Sequence, residues 1–162
     1  MSSEKGGPRP PRGLARMAFR LPIWLYKLDL GWLLGKRALL LQHTGRKSGL
    51  VRETVLEVVR FNPDTNTFLV AAGFGETSDW FQNLLHTPRA HIQVGSQKFE
   101  VTAERVPFPE AVDEFRTYAL NHPGALKVLG SLLGVKLTGS DEDYPFLGRL
   151  MPLVKLRSIR NL

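Results

Sequence analysis

Residues 38–52 read ALLLQHTGRKSGLVR, and the way this stretch turns decides what the rest of the chain can be. An apolar run, Ala38–Leu41, climbs through Gln42, His43 and Thr44 and breaks at Gly45. Arg46, Lys47 and Ser48 follow, then Gly49, and an apolar–charged pattern resumes at Leu50. An apolar run, a glycine-bounded turn and a second run predict strand, tight connection, strand. Two glycines permit left-handed backbone, so successive N–H groups can converge on one point as an anion-binding nest. Arg46 brings a planar fork of donors, Lys47 a mobile point charge and Ser48 a hydroxyl, with Arg52 returning a further charge beside them. The G-x-x-x-x-G-K-[ST] spacing of a P-loop is absent, and a strand rather than a helix follows. The residues therefore carry two readings: a seat for a phosphate or carboxylate, or a solvated basic hairpin turn.

Downstream, Arg52–Phe61 (RETVLEVVRF) sets β-branched Val55, Val58 and Val59 against Glu53 and Glu57, a strand with one wet side. Residues 62–66 (NPDTN) form a turn by composition, and residues 67–72 a returning strand. Ser78 is placed to cap a short helix with Asp79 in its first turn and Trp80, Phe81, Leu84 and Leu85 on its buried face. Residues 90–94 and 98–104 read as a hairpin around Gly95-Ser96, and residues 109–121 as a helix with Ala111, Val112, Phe115 and Ala119 along one stripe. The Gly-rich apolar segment that follows, to Leu137, reads as a continuation of helix. Asp141-Glu142-Asp143 reads as a solvated acidic loop and residues 153–159 as a last strand. Five or six short strands with helices between them suit a small mixed barrel, an α+β arrangement that is mainly β, better than a doubly wound sheet. Neither an alternating βαβ pattern nor a G-x-G-x-x-G fingerprint is present.

Upstream, the first twenty residues hold Lys5, Arg9, Arg12, Arg16 and Arg20 against Glu4, so +4 of the formal +7 lies there. Gly6, Gly7, Pro8, Pro10 and Pro11 predict a disordered basic arm over residues 1–13, with residues 14–162 as one domain. No reader motif accompanies the arm, so nucleic acid is not expected as a partner. Residues 14–34 (LARMAFRLPIWLYKLDLGWLL) are strongly apolar, with Pro22 dividing two helical stretches. Arg20, Lys27 and Asp29 interrupt them, which does not suit a spanning helix, and no signal-peptide cleavage pattern follows. One reading lays this helix over the barrel. The other makes it interfacial, with Trp24, Tyr26 and Trp32 at a lipid boundary, giving a cytoplasmic protein with peripheral membrane contact. With no cysteine and four scattered histidines, neither a thiol nucleophile nor a metal-ligand spacing emerges.

Three blocks carry a resemblance. Thr44-Gly45-Arg46-Lys47-Ser48-Gly49 with Arg52 is the first; residues 68–75 (FLVAAGFG) followed by Trp80-Phe81-Gln82-Asn83-Leu84 is the second; residues 88–95 (PRAHIQVG) is the third. In this order they resemble the deazaflavin-dependent nitroreductase family, a branch of the flavin/deazaflavin oxidoreductases with an FMN-binding-like split β-barrel. The likeness runs from about Ala38 to Glu104.

The resemblance implies coenzyme F420, or FMN as in some relatives, and hydride transfer to an activated alkene, quinone or nitro acceptor. It implies that Arg46, Lys47, Ser48 and Arg52 meet the cofactor's phosphate and acidic tail, within the turn that Thr44, Gly45 and Gly49 shape. It places Ala71, Ala72, Gly73 and Phe74 by the deazaflavin ring. Trp80 and Asn83 match a W-x-x-N-L helix, where Trp80 also reads as a core anchor and Asn83 as a tie between loop and helix. Many similar chains carry a lysine after the Val-Ala strand, and here residues 72–75 (AGFG) hold no cation. Tyr118 and Tyr144 are the nearest counterparts of the pocket tyrosines of some relatives, and no side chain is nominated as catalytic. A cofactor carrier without turnover, and a basic membrane-associated adaptor, are the alternatives from other classes.

Overall fold

The computed structural model describes residues 36–162. The basic arm and the apolar segment 14–34 lie outside the described residues. Six antiparallel strands close into a barrel: β1 (Ala38–Thr44), β2 (Val51–Asn62), β3 (Thr67–Ala71), β4 (Arg89–Val94), β5 (Gln97–Arg105) and β6 (Leu153–Asn161). Around the barrel they run β1-β2-β3-β6-β5-β4, and β4 pairs back onto β1 through Leu40–Gln93, Leu41–Ile92 and Gln42–His91. Helix α1 (Asp79–His86) follows β3, α2 (Phe108–Asn121) and α3 (Ala125–Leu133) follow β5, and α4 (Asp143–Leu150) precedes β6.

The strands form where alternation demands it. In β3, Phe68 and Val70 face the barrel interior while Leu69 and Ala71 face the other way, so both faces are covered. The interior core gathers Leu39, Leu41, Phe68, Val70, Ile92, Phe99, Val101, Val154 and Leu156. Trp80, Phe81 and Leu84 of α1 join it, which makes that helix a plug at one end of the barrel. A second core packs α2, α3 and α4 on the outside of the barrel through Leu69, Phe115, Tyr144, Leu147, Met151 and Leu153.

Several sequence expectations are revised here. The helix from residue 108 stops at Asn121, and α3 starts afresh at Ala125 because Gly124 sits in the left-handed region at φ 86°. Asp141 and Glu142 lie in an exposed turn as expected, and Asp143 opens helix α4, an element not expected from the sequence. Pro145 lies in its first turn, where a missing N–H costs nothing, and the Asp143 carboxylate collects the N–H groups of Thr138, Gly139 and Ser140. Ser78 precedes α1 but makes no side-chain cap. Among the described residues no helix is long and apolar enough to cross a membrane.

Because β1, β3 and β5 run in one direction, their C-terminal ends open on the same end of the barrel. The 45–50 turn, the 72–78 loop, α1 and the start of β6 all meet there: the Ala72 N–H donates to Pro152 O at 2.8 Å, and Val106 N–H to Leu153 O at 2.9 Å.

Candidate functional site

The 45–50 turn is held at its base by two backbone bonds, Gly45 N–H to Leu50 O and Gly49 N–H to Gly45 O, both 2.8 Å. Gly49 stands at φ 69°, a conformation only glycine adopts without strain. At Gly45 the constraint is space: a Cβ there would lie 2.7 Å from Ser48 Oγ and 3.3 Å from Leu50 O. Ser48 is thus folded back over Gly45, and its hydroxyl oxygen accepts the Leu50 N–H at 3.2 Å. Its hydroxyl proton is left to donate elsewhere. Of the backbone donors that the turn could aim at an anion, several are already engaged. The N–H groups of Gly45, Gly49 and Leu50 are taken up inside the turn, and that of Arg46 by Asn83. Side chains carry the positive charge.

Arg46 is tied to α1. Its backbone N–H and its guanidinium Nη1 both donate to Asn83 Oδ1, at 3.0 and 2.9 Å. The guanidinium also pairs with the Asp79 carboxylate at 3.3 Å. Lys47 and Ser48 are exposed at the tip. Arg52, cross-strand partner of His43, is exposed, with its Nε 3.7 Å from the position a Gly45 Cβ would take. Leu50 and Val51, 60% and 68% exposed, set an apolar pair against these charges.

Beneath the turn lies a residue that the sequence reading passed over. His43 is buried, and its Nδ1 is 3.0 Å from Asn83 Nδ2. Burial lowers its pKa to about 4, with Asp79 pulling up and Arg52 pushing down. The imidazole is neutral at pH 7. Alternation in β1 could have pointed to His43, since it shares a face with Leu39 and Leu41, both fully buried. A polar residue on the core face of a strand calls for a partner.

The residues expected by the ring are brought to the same end of the barrel but stand apart from the turn on the sheet. Ala38, at the far end of β1 from Thr44, pairs Glu57, while Val58 pairs Val70. Helix α1 bridges the two segments. Ala72 is fully buried with its N–H bonded to Pro152, so it cannot offer that donor to a ring. Gly73 is exposed and has open space where a side chain would be. Phe74 is half-buried. Trp80 lies in the barrel core, edge-on to Phe81 with centroids 6.1 Å apart. Ser78 Oγ is buried without a hydrogen-bond partner among the described residues, an open hydroxyl between Phe74 and Trp80 in the chain. Arg105 reaches this loop from β5, pairing with Glu76 and lying 5.4 Å from the centre of the Phe81 ring.

The two tyrosines sit elsewhere. Tyr144 is buried in the outer core with its hydroxyl donating to Gly139 O at 3.4 Å, under the Arg116 guanidinium. Tyr118 stacks on His122 and donates to Glu57 at 3.4 Å on the outside of β2; burial and then the Glu57 charge raise its pKa.

A family model for the F420H2-dependent quinone reductase matches residues 27–128, most of the chain and all of the turn, loop and α1. The chain belongs to that family. A protein of Mycobacterium tuberculosis provisionally named as an F420H2-dependent quinone reductase is 37% identical over 67 residues, 40% of this chain. That match spans only 55% of the relative's own length. The fold agrees with a solved F420-H2 dependent reductase, at TM-score 0.52 and 20% identity over 76% of this chain and 96% of that one. It agrees likewise with an FMN-binding protein of Nostoc punctiforme related to pyridoxamine 5'-phosphate oxidase, at TM-score 0.57 and 15% identity over 93% and 83%. The barrel is thus the FMN-binding-like split barrel that the resemblance implied, and the family is one that uses coenzyme F420.

Proposed function

We propose that the chain binds reduced coenzyme F420 and passes hydride from it to an activated alkene, a quinone or a nitro compound. The observation that carries this reading is the basic turn locked onto α1, with Lys47, Ser48 and Arg52 presented outward and Arg46 held by Asn83 and Asp79. When bound, the coenzyme supplies a deazaflavin ring that donates hydride and an anionic phosphate-and-glutamate tail. The residues present fit such a group. Lys47 and Arg52 would hold the anionic tail, and the Ser48 hydroxyl would donate to it. The vacant side-chain space at Gly73 leaves backbone open to a flat ring. The chain's remaining task is to hold donor and acceptor in near-attack contact and keep water from between them. Leu50 and Val51, apolar and exposed beside the cations, suit an acceptor with an apolar body.

Titration with oxidised coenzyme F420, followed by its fluorescence, is expected to show saturable binding that beats FMN. Anaerobic mixing of reduced coenzyme with a quinone, an enone and a nitroarene is expected to show acceptor-dependent oxidation. Binding without turnover on any acceptor would favour the carrier reading, and preference for FMN would overturn the cofactor.

A further inference from the structure

We infer that His43 is a positioning residue for the basic turn: it fixes which way the Asn83 carboxamide faces, and thereby holds Arg46. The functional part of the inference rests on the turn being the seat of the cofactor's anion; the local part stands without it.

Two groups of Arg46 approach one end of the Asn83 amide, the backbone N–H at 3.0 Å and Nη1 at 2.9 Å. Both can only donate, so that end is the oxygen. The other end must be the NH2 group, and it faces His43 Nδ1 at 3.0 Å. Nδ1 must then accept, which places the imidazole proton on Nε2 and leaves the ring neutral. Asp79 and Arg52 are the charged groups acting on the ring; the Asp79 carboxylate is engaged by Arg46 and Arg52 can only donate, so Nδ1 is the acceptor that the Asn83 NH2 meets. Asn83 and His43 are 4% and 5% exposed, so water cannot readily take over either bond. A flipped amide would set NH2 against the two Arg46 donors and its oxygen against the Nδ1 lone pair, so His43 penalises from the other end the same flip that Arg46 opposes.

The test uses the full chain, labelled with 15N. At pH 7 the long-range imidazole spectrum is expected to show His43 protonated on Nε2 alone, and the Arg46 amide to exchange slowly. In His43→Leu, where no acceptor remains, Arg46 amide exchange should speed up and oxidised F420 should bind about tenfold more weakly. His43→Gln, whose side-chain oxygen can accept from Asn83, should recover most of both. An Nδ1-protonated ring in the unmutated protein would overturn the inference, as would His43→Leu with unchanged Arg46 exchange and affinity. If His43→Leu does not fold, Asn83→Asp serves instead: a carboxylate against Nδ1 should draw a proton there at pH 7, and an unchanged His43 spectrum would count against the inference. Loss of F420 binding by the unmutated protein would sink the cofactor reading, while tautomer and amide exchange would still judge His43.

Discussion

At Arg46 the backbone N–H and the guanidinium converge on a single acceptor, Asn83 Oδ1, while Asp79 neutralises part of the charge. This separates it from Lys47 and Arg52, which are exposed. Arg46→Ala should therefore lower both anion affinity and folding stability, by about 1.5–3 kcal/mol where its charged hydrogen bonds are lost. Lys47→Ala and Arg52→Ala should weaken binding, more so at low ionic strength, and leave the melting temperature in place. Calorimetric melting beside F420 titration in rising salt checks both halves. His43 adds a pH dependence. Its folded pKa of about 4 lies below the ordinary 6.5, so the unfolded chain binds the proton more readily. Stability from this group is full above pH 6.5 and is lost as pH falls through 6.5 towards 4, on the order of 3 kcal/mol in all. Urea unfolding at pH 7 and pH 4.5 should show the loss, and His43→Gln should flatten that part of the profile. In the sequence the basic turn was plain, but its donor economy was not. Spacing shows which residues neighbour one another along the chain, whereas Arg46 is answered from α1, 37 residues away.

Among the elements, the β1–β2 hairpin was legible because glycine, charge and apolar alternation all agree there, and α1 because its apolar positions recur at helical spacing. Helix α4 was hidden: Pro145 and Gly148 both argue against a helix, and its acidic start resembles a loop. Gly148 is there because Phe108 packs against it, with a Cβ falling 3.3 Å from that ring, a tertiary reason no local reading contains. The two site glycines differ in the same way. Gly45→Ala must displace the Ser48 hydroxyl from its place over the turn and crowds Leu50 O, while Gly73→Ala meets open space at ordinary φ. We expect Gly45→Ala to lower stability and binding together. Gly73→Ala should melt with the unmutated protein yet bind the coenzyme less well, because its new methyl occupies only room a ligand would use. Equal melting temperatures for the two variants would contradict this.

For the molecule as a whole, composition and motif order pointed to a mainly β domain, but closure of the barrel depends on pairings that join distant parts of the chain, and periodicity carries no record of partners. The clearest of these is β6. It lies between β3 and β5, joined by pairs from Thr67–Arg157 to Ala71–Leu153 on one side and from Phe99–Asn161 to Arg105–Val154 on the other. That placement bears on how the protein is made. While a ribosome is still producing α3 and α4, the strands already synthesised have hairpin neighbours, yet β3 and β5 each keep an unpaired edge, and such edges invite pairing with other chains. Barrel closure waits for residues 153–161 to leave the exit tunnel. Stalled nascent chains ending before Leu153 should stay sensitive to protease, and those with Asn161 well clear of the tunnel should resist it. In the cell, a holding chaperone would have its use in the interval between α2 and β6.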